Sequence, residues 1–138
     1  MAVITAKFYP GVPYAMYNND MNIGDTYKMA LLTEAGVYDS THTDWSDLEL
    51  YEIDYDGALT GYAQKATTLS VGLTSAATTF GLTEVTWTDA SFTFRHAVVY
   101  NEISGKLLLH LTFSVNQVVS GQNYKLNVPS PVPSAVPV

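Results

Sequence analysis

The chain has 138 residues, 47% hydrophobic and 14% charged, with a net charge of −7 and no cysteine. That length suits one domain with a core of its own, and the absence of cysteine rules out a disulfide framework. Six scattered basic residues argue against a nucleic-acid surface, which needs clustered Lys and Arg.

The charged share is low beside a usual value of about 25%, so Thr, Ser, Asn and Tyr must supply much of the polar surface. Ten tyrosines and many threonines favour strands over helices. No apolar run reaches the roughly 20 residues of a membrane span, and the start, MAVITAKFYP, lacks signal-peptide architecture. The expectation is a soluble protein made in a cytoplasm, with neither nucleic acid nor membrane as partner.

Periodicity of two recurs along the chain. Residues 2–9 alternate Ile4, Ala6 and Phe8 against Val3, Thr5 and Lys7, which predicts a strand. A turn-rich stretch, 10–25, holds the best place for a short helix, near 12–22. TYKMALLT (26–33) reads as a largely buried strand, and 34–47 as a long loop. LELYEID (48–54) reads either as an alternating strand or as a short helical turn, and 55–61 as a turn. Residues 65–74 alternate Leu69, Val71 and Leu73 against Thr68, Ser70 and Gly72, and 78–88 gives one or two short strands. The sum is an all-β domain, a single antiparallel β-sandwich or jelly-roll-like fold with long loops.

SFTFRHAVVY (91–100) places Arg95 beside His96. On a strand they point to opposite faces, so they do not form a reactive pair. With NEISGK (101–106) as a turn, a hairpin closed at Tyr100 and Leu107 sets Val98 opposite Leu109, His96 opposite Leu111 and Phe94 opposite Phe113. That register collects one apolar face. It makes His96 a packed histidine and leaves Leu108, His110 and Thr112 on the outer face with Arg95.

The end changes character. Prolines at 129, 131, 133 and 137 remove backbone donors and favour extended conformation. The domain is therefore read as 1–128 and the tail as 129–138. Pro129, Pro131, Val132, Pro133 and Val136 are the candidate contacts of an extended apolar arm lying along a neighbouring subunit.

The clearest anomaly is charge. Between Lys28 and Lys65 there is no Lys or Arg, yet eight acids occur: Glu34, Asp39, Asp44, Asp47, Glu49, Glu52, Asp54 and Asp56. Such carboxylates must be solvated, paired in trans with a basic partner surface, or bridged by a cation. DYDG (54–57) and NNDMNIGD (18–25) are fragments of calcium-loop chemistry, which makes Asp54, Asp56 and Asp20 weak calcium candidates, neither stretch carrying the full ligand series. His42 with Asp44 and Asp47 reads either as a metal or acid–base cluster or as a loop plugged by Trp45 and held by Asp and Thr side chains. No nucleophile motif is present, and the three histidines stand in unlike contexts. The residues therefore point to no catalytic set and require no cofactor.

Taken in order, DTYKMALLT (25–33), DSTHTDWSD (39–47), YEI (51–53), TGYAQKATTLS (60–70) and EVTWTDASFTFRHAVVY (84–100) resemble a family of small virion-associated structural proteins of tailed bacteriophages. The resemblance covers a little more than half the chain. It departs after Tyr62, where the family often has paired glycines and Ala63-Gln64-Lys65-Ala66 stands here, and residues 114–138 have no counterpart. Trp45, Trp87, Arg95 and Tyr100 match the pattern and are implied to be fold-determining.

The implied role is a non-enzymatic virion component, most simply a capsid decoration or cement protein. It would be a dimer or trimer partnered with the major capsid protein or other virion proteins. A neck, tail or fibre-base adaptor is the first alternative. A carbohydrate- or receptor-binding module, with exposed Trp and Tyr stacking on sugars, is the second.

Overall fold

The two longest strands organise everything else: β5, Val85–Asn101, and β6, Leu107–Asn127. The computed structural model describes residues 4–54, 59, 61–73, 78–128 and 134–137. The remaining strands are β1 Ile4–Phe8, β2 Thr26–Leu32, β3 Lys65–Leu73, β4 Thr78–Leu82 and β7 Ser134–Pro137, with one short helix, α1, at Val12–Tyr17. All ladders are antiparallel and form one path, β1-β6-β5-β2-β3-β4, with β7 also on β6. The all-β expectation holds, in the form of one curled sheet rather than two separately hydrogen-bonded ones.

The curl follows from length. At about 3.3 Å per residue a straight 21-residue strand would reach about 70 Å, whereas a compact domain of this size has a radius of gyration of about 14 Å. The ribbon must bend, and it does so at irregularities: the β5–β6 register shifts between Trp87 and Ala90, Ala90 and Ser91, Phe94 and His96, and Val99 and Tyr100. Extra residues on one strand bend it and increase its twist.

Two of these shifts correct the expected hairpin register. Tyr100 does pair with Leu107, but Leu108 is bulged, so Val99 pairs with Leu109, Val98 with His110 and His96 with Thr112. A slip of one residue moves a strand's side chains to the other face. His110 and Thr112 therefore join His96 instead of Arg95. Further along, Phe94 pairs with Gln117, so Arg95 alone stands opposite residues 113–116. Its guanidinium fills that gap: Nε donates to the Phe113 carbonyl at 2.6 Å and Nη2 to the Ser114 carbonyl at 3.0 Å.

Burial divides the ribbon. From His96 to Asn101, and from Leu107 to Leu111, every residue is buried. Here β2 pairs on one side (Leu32 with His96 through Tyr27 with Asn101) and β1 on the other (Phe8 with Leu109 through Ile4 with Phe113). From Val85 to Phe94 burial alternates, with Trp87, Phe92 and Phe94 inside and Thr88, Ser91 and Thr93 outside. Edge-to-face contacts join Phe94 to Phe113 at 5.1 Å and to Tyr124 at 5.3 Å.

Other expectations fare unevenly. The helix forms but is only six residues long. Residues 48–54 take the helical alternative, a 3-10 turn at Glu49–Tyr51, after another at Trp45–Asp47. β1 forms, but its expected apolar row is not a buried one: Ala6 is exposed and Phe8 is 45% exposed. Of the proline-rich tail, 134–137 pairs with β6 of its own chain, Val136 opposite Lys125. Pro129, Pro131, Val132, Pro133 and Asp56 lie outside the described residues.

Candidate functional site

The acidic stretch is built from loop chemistry. Asp47 accepts the backbone N–H groups of Thr43 and Asp44 at 3.0 and 3.1 Å. Asp39 accepts both the N–H and the hydroxyl of Thr41. These bonds hold both carboxyls below the ordinary carboxylate range. Asp44 accepts the Thr43 hydroxyl and pairs with Lys106 at 3.1 Å. Glu34 lies 3.7 Å from Arg95, and Glu52 accepts from Tyr62 Oη at 2.6 Å and Gln64 Nε2 at 2.9 Å. The cations missing from the segment thus arrive from β5 and the β5–β6 turn, far away in sequence. The loop reading of His42, Asp44 and Asp47 is the one the geometry bears out.

Of the calcium candidates, Asp54 accepts the Leu59 N–H at 2.7 Å and Asp20 accepts from Asn18 at 3.1 Å. They sit in separate networks. Among the described residues no group of three or more His, Asp or Glu is arranged to hold a metal ion.

Trp45, Trp87 and Tyr100, three of the residues expected to be fold-determining, make packing and hydrogen-bond contacts, as Arg95 does with β6. Trp45 stacks on Tyr100, ring centroids 4.9 Å apart and planes 7° from parallel. Trp87 is fully buried and its Nε1 donates to the Ala63 carbonyl at 2.7 Å. Tyr100 Oη donates to Gln64. Gly61 (φ +80°) serves the same cluster: a Cβ there would lie 2.7 Å from the Asp89 carbonyl oxygen. Only a residue without a side chain fits against that backbone, and next to it Tyr62 stacks on Trp87 with centroids 6.4 Å apart.

His96 is packed as expected, at 4% exposure, but His110 is buried with it instead of standing on the outer face. Far from unlike contexts, His96 and His110 share a buried chain of hydrogen bonds. Tyr9 Oη lies 2.7 Å from His110 Nδ1, His110 Nε2 lies 3.2 Å from His96 Nδ1, and Thr112 Oγ1 lies 3.1 Å from the same His96 nitrogen. One neutral arrangement satisfies the chain: Tyr9 donates to His110, whose Nε2–H donates to His96. Burial pushes the His110 imidazole down to about 3 and also lowers His96. Tyr38 packs edge-on to His110 at 5.8 Å. The signal that joins these residues is the Leu108 bulge, which carries no marker in a single sequence.

Beside this chain lies a cavity of about 210 Å3. Tyr9, Tyr14, Ala15, Asp20, His42, Lys106 and Leu107 are among the residues that line it. Tyr14 and Tyr17 on α1 are 73% and 91% exposed. The cavity thus has aromatic and aliphatic walls, with Asp20 and Lys106 as the charged residues of its lining.

The class these observations define is an all-β domain on one curled antiparallel sheet. No family model matches the chain, and neither a curated protein nor a solved structure matches it.

Proposed function

We propose that the chain is a structural, non-enzymatic subunit of a tailed-phage virion, a capsid decoration protein that stabilises the head by bridging capsid subunits. One observation supports the reading: four residues that match the family pattern make contacts that tie this fold together. Trp45 and Tyr100 stack, Trp87 anchors the 61–63 segment, and Arg95 bonds the carbonyls of the β6 bulge. A motif spent on architecture is what a family of building blocks would share. The acidic surface suits a position outside the packaged genome, since like charges repel. Exposed tyrosines suit contacts within a dimer or trimer and with the major capsid protein.

The sugar-binding alternative, which calls on exposed Trp and Tyr, has less support from its tryptophans, while Tyr14 and Tyr17 are exposed. Trp87 is fully buried and Trp45 already has Tyr100 against its face.

The test is the copy number of the protein in purified particles, by quantitative mass spectrometry against the major capsid protein. Hundreds of copies in simple ratio are expected for a decoration protein. Six to a few dozen would move it to the neck, tail or fibre base. None would overturn the virion reading.

A further inference from the structure

We propose that the cavity beside α1 is a docking pocket for a basic segment of a partner protein, which inserts one arginine or lysine side chain as its anchor. The cavity of about 210 Å3 far exceeds the roughly 10–15 Å3 that one water needs, so a long side chain can enter it. Tyr9, Ala15 and Leu107 offer apolar contact to an aliphatic stem. Asp20 in the wall offers a carboxylate to the charged head, and the Tyr14 ring offers a π face.

The charge balance selects the partner's sign. Lys106 lines the cavity but is neutralised by Asp44 at 3.1 Å. Asp39 and Asp47, in the adjoining loop, are held ionised by their hydrogen bonds. The whole chain carries −7, so a basic segment is attracted from a distance and an acidic one is repelled. Tyr14, in the cavity lining and 73% exposed, is a contact residue of the type that dominates interface energetics.

The experiment is an NMR titration of the 15N-labelled full chain with the peptide Ac-Ala-Arg-Ala-NH2, and with its citrulline counterpart, equal in shape but uncharged. Saturable shifts at Gly11, Ala15, Asp20, Thr43 and Leu107 are expected with the arginine peptide only. They should weaken at least fivefold in Asp20→Asn and fade with added salt. Equal shifts from the citrulline peptide, shifts scattered over other surfaces, or unchanged affinity in Asp20→Asn would each overturn the proposal. If Asp20→Asn loses the dispersed spectrum of the folded chain, Tyr14→Ser, at an exposed position, takes its place with the same expected loss. The outcome is independent of the particle assignment, which the copy number decides separately.

Discussion

The β5–β6 ribbon has two halves that solve burial differently. The half at His96–Asn101 and Leu107–Phe113 is flanked by β2 and β1 and is buried on both faces through most of its length. The half at Val85–Phe94 and Gln117–Leu126 buries one face, with Trp87, Phe92, Phe94 and Tyr124, and leaves Thr88, Thr93 and Val118 outside. Where one face is wet, polar residues simply face water. Where both faces are covered, each polar side chain must find a partner inside. His96 and His110 meet that demand with each other, with Tyr9 and with Thr112.

The largest expected effect lies in the one-sided half. Trp87→Ala removes a fully buried ring and should cost about 3–5 kcal/mol, read as a fall in the denaturant midpoint at constant slope. A loss below about 1 kcal/mol would mean that this half is not the well-packed core described. Gly61→Ala tests how that half is closed. The left-handed backbone and the 2.7 Å approach to the Asp89 oxygen predict a loss of about 1–3 kcal/mol, with altered Trp87 fluorescence.

The junction between the halves is sharpened by Arg95→Met. This variant keeps the stem but removes the Arg95 donors from the carbonyls of Phe113 and Ser114. A loss of about 1–2 kcal/mol is expected, with faster amide exchange around residues 113–117.

The doubly buried half has a pH signature. Unfolded, an imidazole titrates near 6.5, whereas folded His110 is held down to about 3 and His96 below its ordinary value. As pH falls, the unfolded chain takes up protons first. The histidine contribution to stability is therefore constant above about pH 6.5 and declines below it, by about 1 kcal/mol for His110 by pH 5.5, with His96 adding in the same direction. The double variant Tyr9→Phe/His110→Leu removes one titrating group and its donor together, and its melting temperature should fall less between pH 7 and 5. An identical slope in both proteins would refute the buried neutral pair.

The smallest effect closes the comparison. Val118→Thr, at a position 70% exposed, should change stability by less than about 0.5 kcal/mol. The same substitution at buried Val98 should cost about 1–3 kcal/mol, because its hydroxyl has no water to meet. Equal costs would erase the distinction between the halves.

The sequence by itself determined the fold class, most strand positions, the 101–106 turn and the loop character of 34–47. Each rests on local rules: alternation with period two, turn residues, and Asp and Thr side chains bonding nearby backbone. It also determined that Arg95 and His96 do not act as a pair, since neighbours on a strand diverge. Only the tertiary structure decided which residues meet across the ribbon. A bulge at Leu108 and an over-long loop opposite Arg95 change every partner beyond them, and each depends on bending long strands around a small core. For the same reason the lone acidic stretch looked unpaired. Its cations, Arg95 and Lys106, are far along the chain and come close only when the sheet curls.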